Sequence, residues 1–200
     1  MDLGLKDATA VVVGGGRGMG LAAARCLADD AARVALVGRS RDVLDSAAAD
    51  LSERGSPDAI GIVADVADEH QARQVFDEIA NRWGGELNIL INTVGPAVQG
   101  GFEQLSDDQW RNAVDGGVLG MVHCVRSALP LLRRAAWARI VNFSAQSTQR
   151  QSPNLVAYTA AKAMVTSVSK NLSQLLAPDE IMVNVVSPGT VYFKGGVWNW

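Results

Sequence analysis

Residues 10–24 read Ala-Val-Val-Val-Gly-Gly-Gly-Arg-Gly-Met-Gly-Leu-Ala-Ala-Ala, and their pattern indicates the class of fold. Its first four residues are typical of a buried strand, and the alanine-rich run at its end is typical of a helix. Glycines between a strand and a helix let backbone N–H groups approach a phosphate, where the helix dipole adds favourable charge. Many glycine clusters are only turns, but the position directly after an apolar strand favours a phosphate loop built on Gly14, Gly18 and Gly20.

The same alternation of apolar runs and helical segments continues along the chain. The apolar runs are rich in β-branched residues and are apolar nearly throughout, as strands covered on both faces of a parallel sheet require. They lie at residues 8–13, 33–37, 59–63, 88–92, 139–143 and 181–186, and the helical segments lie at 18–30, 41–54, 68–83, 106–133 and 155–176. The pattern predicts an α/β fold: a Rossmann-like, doubly wound parallel sheet of six visible strands, with helices on both faces and ligand at the carboxyl ends of the strands.

Composition narrows the class of protein. The 200 residues are 48 % hydrophobic and 20 % charged, which predicts one globular domain over residues 1–200. A net charge of −3 gives no basic field for nucleic acid, and no apolar run is long enough to span a membrane. The acidic N-terminus argues against a signal peptide and favours a cytoplasmic protein. Cys26 and Cys124 lie far apart without neighbouring ligands, so neither a disulfide framework nor a metal site is expected.

The end of the second strand bears on the choice of dinucleotide. NAD-binding folds usually place an acid there to bind the ribose hydroxyls, whereas this chain has Arg39 and Ser40. A guanidinium group suits a ribose 2′-phosphate, and Arg17 in the glycine loop can lie on the same side. Either arginine alone could be an ordinary surface charge. Together they favour NADP(H), with NAD(H) still possible.

The sequence Tyr158-Thr159-Ala160-Ala161-Lys162 is the strongest candidate for the chemistry. Residues four apart share one face of a helix, and an ammonium beside a phenol stabilises the phenolate and lowers the phenol pKa. Tyr158 would then relay a proton during carbonyl reduction, while Lys162 tunes it and holds the nicotinamide ribose. Such a pair also occurs by chance on many helices, but here it follows the fifth strand of a dinucleotide-binding pattern.

These motifs together resemble the short-chain dehydrogenase/reductase family over residues 8 to about 192. The resemblance rests on G-x-x-x-G-x-G, on the Tyr158–Lys162 pair, on Asn92-Thr93-Val94-Gly95 and on Asn184-Val185-Val186-Ser187-Pro188-Gly189. It implies that Asp65 and Val66 contact the adenine, although Asp65 could equally be a cap or turn residue, and that Asn92 contacts the cofactor or only stabilises the strand end. It also implies a homodimer or homotetramer and a small carbonyl or alcohol substrate. The further cofactor contacts implied are Met19, Gly95, Pro188, Gly189 and Val191.

Three positions depart from the family pattern. Ala145 stands where the family carries a serine that hydrogen-bonds the substrate oxygen, and either Ser144, which we prefer, or Ser147 could replace it. Gly117 stands where the family has a helix asparagine, and Phe193 where a threonine touches the carboxamide or the phosphates. The chain also stops before the family's substrate-covering segment and last strand.

The sequence therefore predicts an NADP(H)-dependent oxidoreductase that interconverts a ketone and a secondary alcohol, with Tyr158, Lys162 and Ser144 as catalytic residues. The first alternative is a dinucleotide-binding protein with little or no catalysis, acting as a sensor or partner module. The second is a methyltransferase, since a glycine loop also suits S-adenosylmethionine, although Arg39 argues against it.

Overall fold

A parallel sheet of six strands forms the centre of the protein in the computed structural model, which describes residues 3–193 and residue 196. Within these residues the strand order is β3-β2-β1-β4-β5-β6, and all neighbours are parallel. The order reverses between β1 and β4, which places a crevice outside the carboxyl ends of these two strands. The strands are β1 (Thr9–Val13), β2 (Arg33–Gly38), β3 (Ala59–Val63), β4 (Ile89–Asn92), β5 (Ala138–Phe143) and β6 (Ile181–Val186).

Helices cover both faces of the sheet, as the continuous apolar character of the strands predicted. One face packs against α1 and α2 around Ala24, Leu44 and Leu51, and the other packs against the remaining four helices around Phe76, Met121 and Val165. The predicted Rossmann-like fold is confirmed. The helices are α1 (Gly18–Asp29), α2 (Arg41–Glu53), α3 (Glu69–Arg82), α4 (Asp107–Val114), α5 (Gly120–Leu132) and α6 (Val156–Leu175).

The predicted continuous helix over residues 106–133 is interrupted in the structure. A π-helical turn, Asp115–Leu119, separates α4 from α5. Gly116 lies so close to the loop after β4 that an added Cβ would come within 3.0 Å of Pro96 Cδ. Glycines at this turn let the wider helix approach that loop, and helical periodicity alone does not reveal such a turn.

β3 forms one edge of the sheet, where Val63 is exposed, and β6 forms the other. β6 has no strand beyond it among the described residues, and its Met182 and Val186 are exposed. No helix in the described part of the chain combines the length and apolar content that crossing a membrane requires.

Candidate active site

The carboxyl ends of the parallel strands meet at one edge of the sheet, and the predicted site residues lie along it. β1 leads into the glycine loop, β2 into Arg39, β4 into Thr93 and β5 into Ser144. Helix α6 packs on β5 and β6 and carries Tyr158 and Lys162 to this same edge. Residues far apart in the sequence therefore share one crevice because the sheet is parallel.

The glycine loop joins β1 to α1 with very little space between them. A Cβ added to Gly20 would collide with the carbonyl oxygen of Gly14, so α1 can begin this close to β1 only with glycine there. The N–H groups of Gly18, Met19 and Gly20 have no acceptor among the described residues, and no acidic side chain lies in the first turn of α1. Free donors at a helix N-terminus fit a pyrophosphate.

Two cationic side chains border this loop. Arg17 and Arg39 are exposed, and neither guanidinium group forms an ion pair or a hydrogen bond with another described residue. The loop packs against the start of α2, since a Cβ on Gly16 would lie 2.9 Å from Val43 Cγ1. Ser40 precedes α2 without capping it through its hydroxyl. Both guanidinium groups and this hydroxyl remain free to bind an anion.

The Tyr158–Lys162 pair lies on one face of α6, as its spacing predicted. Lys162 Nζ lies 5.9 Å from the centroid of the Tyr158 ring. The same ammonium donates hydrogen bonds to the carbonyl oxygens of Val94, at 3.0 Å, and Phe143, at 2.8 Å. Lys162 is only 4 % exposed, so the ends of β4 and β5 fix its position. The Tyr158 hydroxyl has no partner in the described ranges and is not among the buried, unpartnered polar atoms.

Burial shifts both groups toward their neutral forms. Burial lowers the pKa of Lys162 to about 8, so the amine still carries its proton at neutral pH. Burial raises the pKa of Tyr158. The prediction of a lowered phenol pKa is therefore wrong for this structure, because the cause of the shift is burial and burial raises the pKa of Tyr158.

The hydroxyl of Ser144 faces α6. It donates a 2.9 Å hydrogen bond to the Lys162 carbonyl oxygen and accepts one from the Thr166 hydroxyl at 2.7 Å, and the residue is 3 % exposed. This geometry corrects the preference for Ser144 as the replacement for the serine missing at Ala145, since its hydroxyl is already used inside the fold. Ser147, in the short helical turn Gln146–Thr148 beside α6, has a buried hydroxyl without a partner in the described ranges.

Comparison with known proteins decides the family. The family model for short chain dehydrogenases matches residues 8–194. An uncharacterized oxidoreductase of Staphylococcus aureus strain MW2 is 30 % identical over 188 residues, which cover 94 % of this chain and 79 % of that protein. The chain belongs to the short-chain dehydrogenase family. The methyltransferase alternative is therefore wrong, and the protein is an oxidoreductase of this family.

Solved short-chain dehydrogenases share its fold closely. The L-sorbose reductase of Gluconobacter frateurii, complexed with NADPH and L-sorbose, is 26 % identical with a TM-score of 0.92, over 96 % of this chain and 73 % of that chain. An NAD⁺-bound xylitol dehydrogenase is 26 % identical with a TM-score of 0.88, over 92 % of this chain and 71 % of that one. These neighbours bind different dinucleotides, so the family alone does not fix the cofactor.

The predicted adenine contacts have roles within the fold. The Asp65 carboxylate accepts the N–H of Ala67 at 3.1 Å, which is the turn role that the sequence left open. Val66 is buried against Gly120, the first residue of α5. Its carbonyl oxygen lies 3.0 Å from His123 Nδ1. One oxygen of the exposed Asp65 carboxylate remains free, and an adenine contact stays a prediction for this residue.

The stretch after β4 lies against Lys162. Gly95 has a φ of +141°, and an added Cβ would lie 3.0 Å from Lys162 Nζ. Asn92 is buried and donates a 2.8 Å hydrogen bond to Asn142, while its own Oδ1 has no partner among the described residues. It therefore stabilises the strand end, and its contact with the cofactor stays a prediction. Gly117 faces Gly95 and Ala161, where an added Cβ would make only ordinary contacts at 3.7 Å.

The segment after β6 runs along the same edge. The Pro188 carbonyl oxygen accepts the N–H of Gln146 at 2.9 Å, and the Gln146 side chain lies beside Gly189. Val191 is 37 % exposed. This segment is therefore held next to the end of β5, and its contacts with the cofactor stay predictions.

Sequence reasoning missed a buried polar chain that supports the site. Asn142 accepts from Asn92 and donates to the Ser169 hydroxyl at 2.8 Å, which in turn donates to the Val165 carbonyl oxygen at 2.7 Å. This chain ties β4 and β5 to α6. An asparagine inside an otherwise apolar strand is the signal that could have revealed it, since buried polar groups need partners.

Proposed function

We propose that this short-chain dehydrogenase interconverts a ketone and a secondary alcohol with NADP(H), using Tyr158 and Lys162 as a proton relay. The observation that carries the proposal is the placement of the Lys162 ammonium. It is hydrogen-bonded to the ends of β4 and β5 and lies over the ring of Tyr158. A structural lysine has no need of this buried position, which costs desolvation.

The glycine loop and the two free arginines would hold the dinucleotide. The unpaired N–H groups of Gly18, Met19 and Gly20 fit its pyrophosphate, and Arg17 and Arg39 with Ser40 fit a ribose 2′-phosphate. When bound, the nicotinamide supplies or accepts the hydride. The first relatives to guide a substrate search are named for L-sorbose and xylitol, so ketoses and polyols are the first compounds to test.

The raised pKa of Tyr158 suits the reductive direction. A phenol that stays protonated at neutral pH can donate its proton to the oxygen of a carbonyl substrate. The charge that remains on the phenolate oxygen is then stabilised by the Lys162 ammonium, which is still protonated at neutral pH. In the oxidative direction the phenolate accepts the alcohol proton.

The substrate oxygen would receive a weaker second hydrogen bond than in other family members. Ala145 offers no hydroxyl, and Ser144 is engaged with α6. Ser147 carries the nearest hydroxyl along the chain that is without a partner among the described residues, and we assign the donor role to it in place of Ser144.

A second candidate function is dinucleotide binding with little turnover, as in a sensor. The observation that favours it is the missing donor at Ala145, since losing one such donor typically costs about a hundredfold or more in rate. Micromolar NADPH binding without oxidation of NADPH against a broad carbonyl panel would support this candidate over the enzyme.

The cofactor proposal is tested by the dissociation constants of NADPH and NADH. We expect Arg39→Ala to weaken NADPH at least about tenfold, because a charge-assisted contact is lost, and to leave NADH nearly unchanged. Arg73→Ala is the matched control, since Arg73 is also exposed and unpaired among the described residues but lies on α3. Equal losses for both dinucleotides, or none for NADPH, would remove Arg39 from the proposed site.

The predicted oligomer and location stay proposals. Leu119 and Met164, beside and on the long helices α5 and α6, are 40 % and 44 % exposed, which supports a homodimer or homotetramer built on these helices. A cytoplasmic location stays a prediction from the N-terminal sequence.

A further inference from the structure

The ring of Phe193 lies directly on the glycine loop. A Cβ added to Gly18, the first residue of α1, would lie 2.8 Å from Phe193 Cζ and 2.9 Å from Cε1. Distances this short mean that the phenyl ring is in contact with the Gly18 backbone. The first residue of α1, whose N–H has no acceptor among the described residues, is therefore partly covered by an apolar side chain.

A second backbone contact is made to the same ring atoms. A Cβ added to Gly196 would lie 2.8 Å from Phe193 Cε1 and Cζ, and the Gly196 N–H donates to the Phe193 carbonyl oxygen at 3.0 Å. The ring thus contacts the backbones of both Gly18 and Gly196. Its neighbour Tyr192, by contrast, is 70 % exposed.

The covered surface is the one that a pyrophosphate needs. The N–H groups of the first turn of α1 have no acceptor among the described residues, and a phenyl ring cannot supply one of comparable strength. A phosphate oxygen that reaches these donors requires the space that the ring takes at Gly18. Ring and pyrophosphate therefore compete for the first turn.

We infer that Phe193 competes, within the same chain, with the dinucleotide pyrophosphate. The Phe193 ring must leave Gly18 before NADP(H) or NAD(H) binds. The inference rests on the proposed function for the identity of the ligand. The measured affinity of the native chain is then its intrinsic affinity reduced by the fraction of molecules in which the ring is displaced. Removing the ring raises affinity for both dinucleotides alike, because the competition does not involve the 2′-phosphate.

The test is isothermal titration of the full chain and of Phe193→Ala with NADPH, NADH and 2′-AMP. We expect Phe193→Ala to bind both dinucleotides at least about threefold more tightly. 2′-AMP carries the adenosine and the 2′-phosphate but no pyrophosphate, so its affinity should be the same for both proteins. Tyr192→Ala is the matched control and should leave all three affinities unchanged. Circular dichroism of each variant confirms that it is folded.

Each outcome has a distinct meaning. Unchanged or weaker dinucleotide binding by Phe193→Ala would overturn the competition, while measurable binding by the native chain would leave the proposed cofactor intact. A gain shared by 2′-AMP would also overturn it, since that ligand lacks the competing group. Tighter binding by Phe193→Ala without turnover of any carbonyl would support the competition and contradict the proposed reaction. Failure of both proteins to bind either dinucleotide would overturn both proposals.

Discussion

Lys162 is a charged residue of the site that is almost fully buried, at 4 % exposed. Its charged end is removed from water, which lowers its pKa to about 8, and the lost hydration is replaced by two backbone carbonyl oxygens. Backbone carbonyls at strand ends are rigid, so they fix the ammonium in a way that a flexible carboxylate would not. The position of the Lys162 ammonium therefore depends on how β4, β5 and α6 pack together.

The lowered pKa of Lys162 predicts a pH dependence of stability. Between about pH 8 and its ordinary pKa of 10.5, the unfolded chain holds the lysine proton and the folded chain does not. The free energy of unfolding therefore rises with pH across this window, relative to Lys162→Met, which has no proton to lose. Chemical denaturation of both proteins at several pH values measures it. A difference that stays flat or falls would contradict the lowered pKa.

Replacing Ala145 by serine is expected to raise the catalytic rate. If the Tyr158 relay operates, Ala145→Ser restores a donor to the substrate oxygen and should raise kcat about tenfold or more. Ala136→Ser, at an exposed alanine before β5, is the control and should leave kcat unchanged. A folded Ala145→Ser protein with unaltered kcat would show that the missing hydroxyl does not limit the reaction.

The residues of the site differ in how far the sequence could predict them. The face shared by Tyr158 and Lys162 follows from helix geometry alone, because residues four apart always lie together. The choice between Ser144 and Ser147 depended on which way a hydroxyl turns after β5, and no sequence spacing contains that information. The predicted lowering of the phenol pKa failed because the shift depends on burial of the Tyr158 side chain, which residue spacing does not reveal.

At the scale of elements, the turn after β4 lies against Lys162, and the π-helical turn Asp115–Leu119 packs against that turn. Gly95 approaches Lys162 Nζ and Gly117 approaches Gly95, so two backbones without side chains meet beside the ammonium. Apolar runs and helical periodicity predicted the six strands and the other α-helices to within one residue. The π-helical turn was not predicted from the sequence, because it depends on a long-range contact with Pro96 and not on a local pattern.

Gly95→Ala is expected to lose activity through contact with Lys162 as well as through backbone strain. An added methyl at a φ of +141° is strained and presses on Lys162 Nζ, so turnover should fall at least about tenfold. Gly84→Ala is the matched control: its φ of +71° is also positive, but nothing lies within 4 Å of an added Cβ. Both variants should lose about 1 kcal/mol of stability or more.

Thermal unfolding and steady-state rates of the two variants separate strain from displacement of the lysine. Equal turnover by Gly95→Ala and Gly84→Ala would show that the contact with Nζ has no catalytic consequence.

At the scale of the whole molecule, the reversal of strand order between β1 and β4 joins the two halves of the site. The glycine loop and the two arginines lie on the β1–β2 side of the sheet, and the Tyr158–Lys162 pair lies on the β4–β5 side. This division was predictable because a doubly wound parallel sheet always opens its crevice at that reversal. The position of Phe193 on the loop was not predictable, since it depends on the path of the segment after β6.

The role of Tyr158 as proton donor is tested by the rate of NADPH oxidation with a carbonyl substrate, measured for the native chain and for Tyr158→Phe. Removing the phenol hydroxyl takes away the proton donor and leaves the ring in place, so the rate should fall at least about a hundredfold while the NADPH dissociation constant stays the same. Tyr192→Phe, at the exposed second tyrosine, should keep the native rate. A Tyr158→Phe protein that turns over as fast as the native chain would contradict the role of Tyr158 as proton donor.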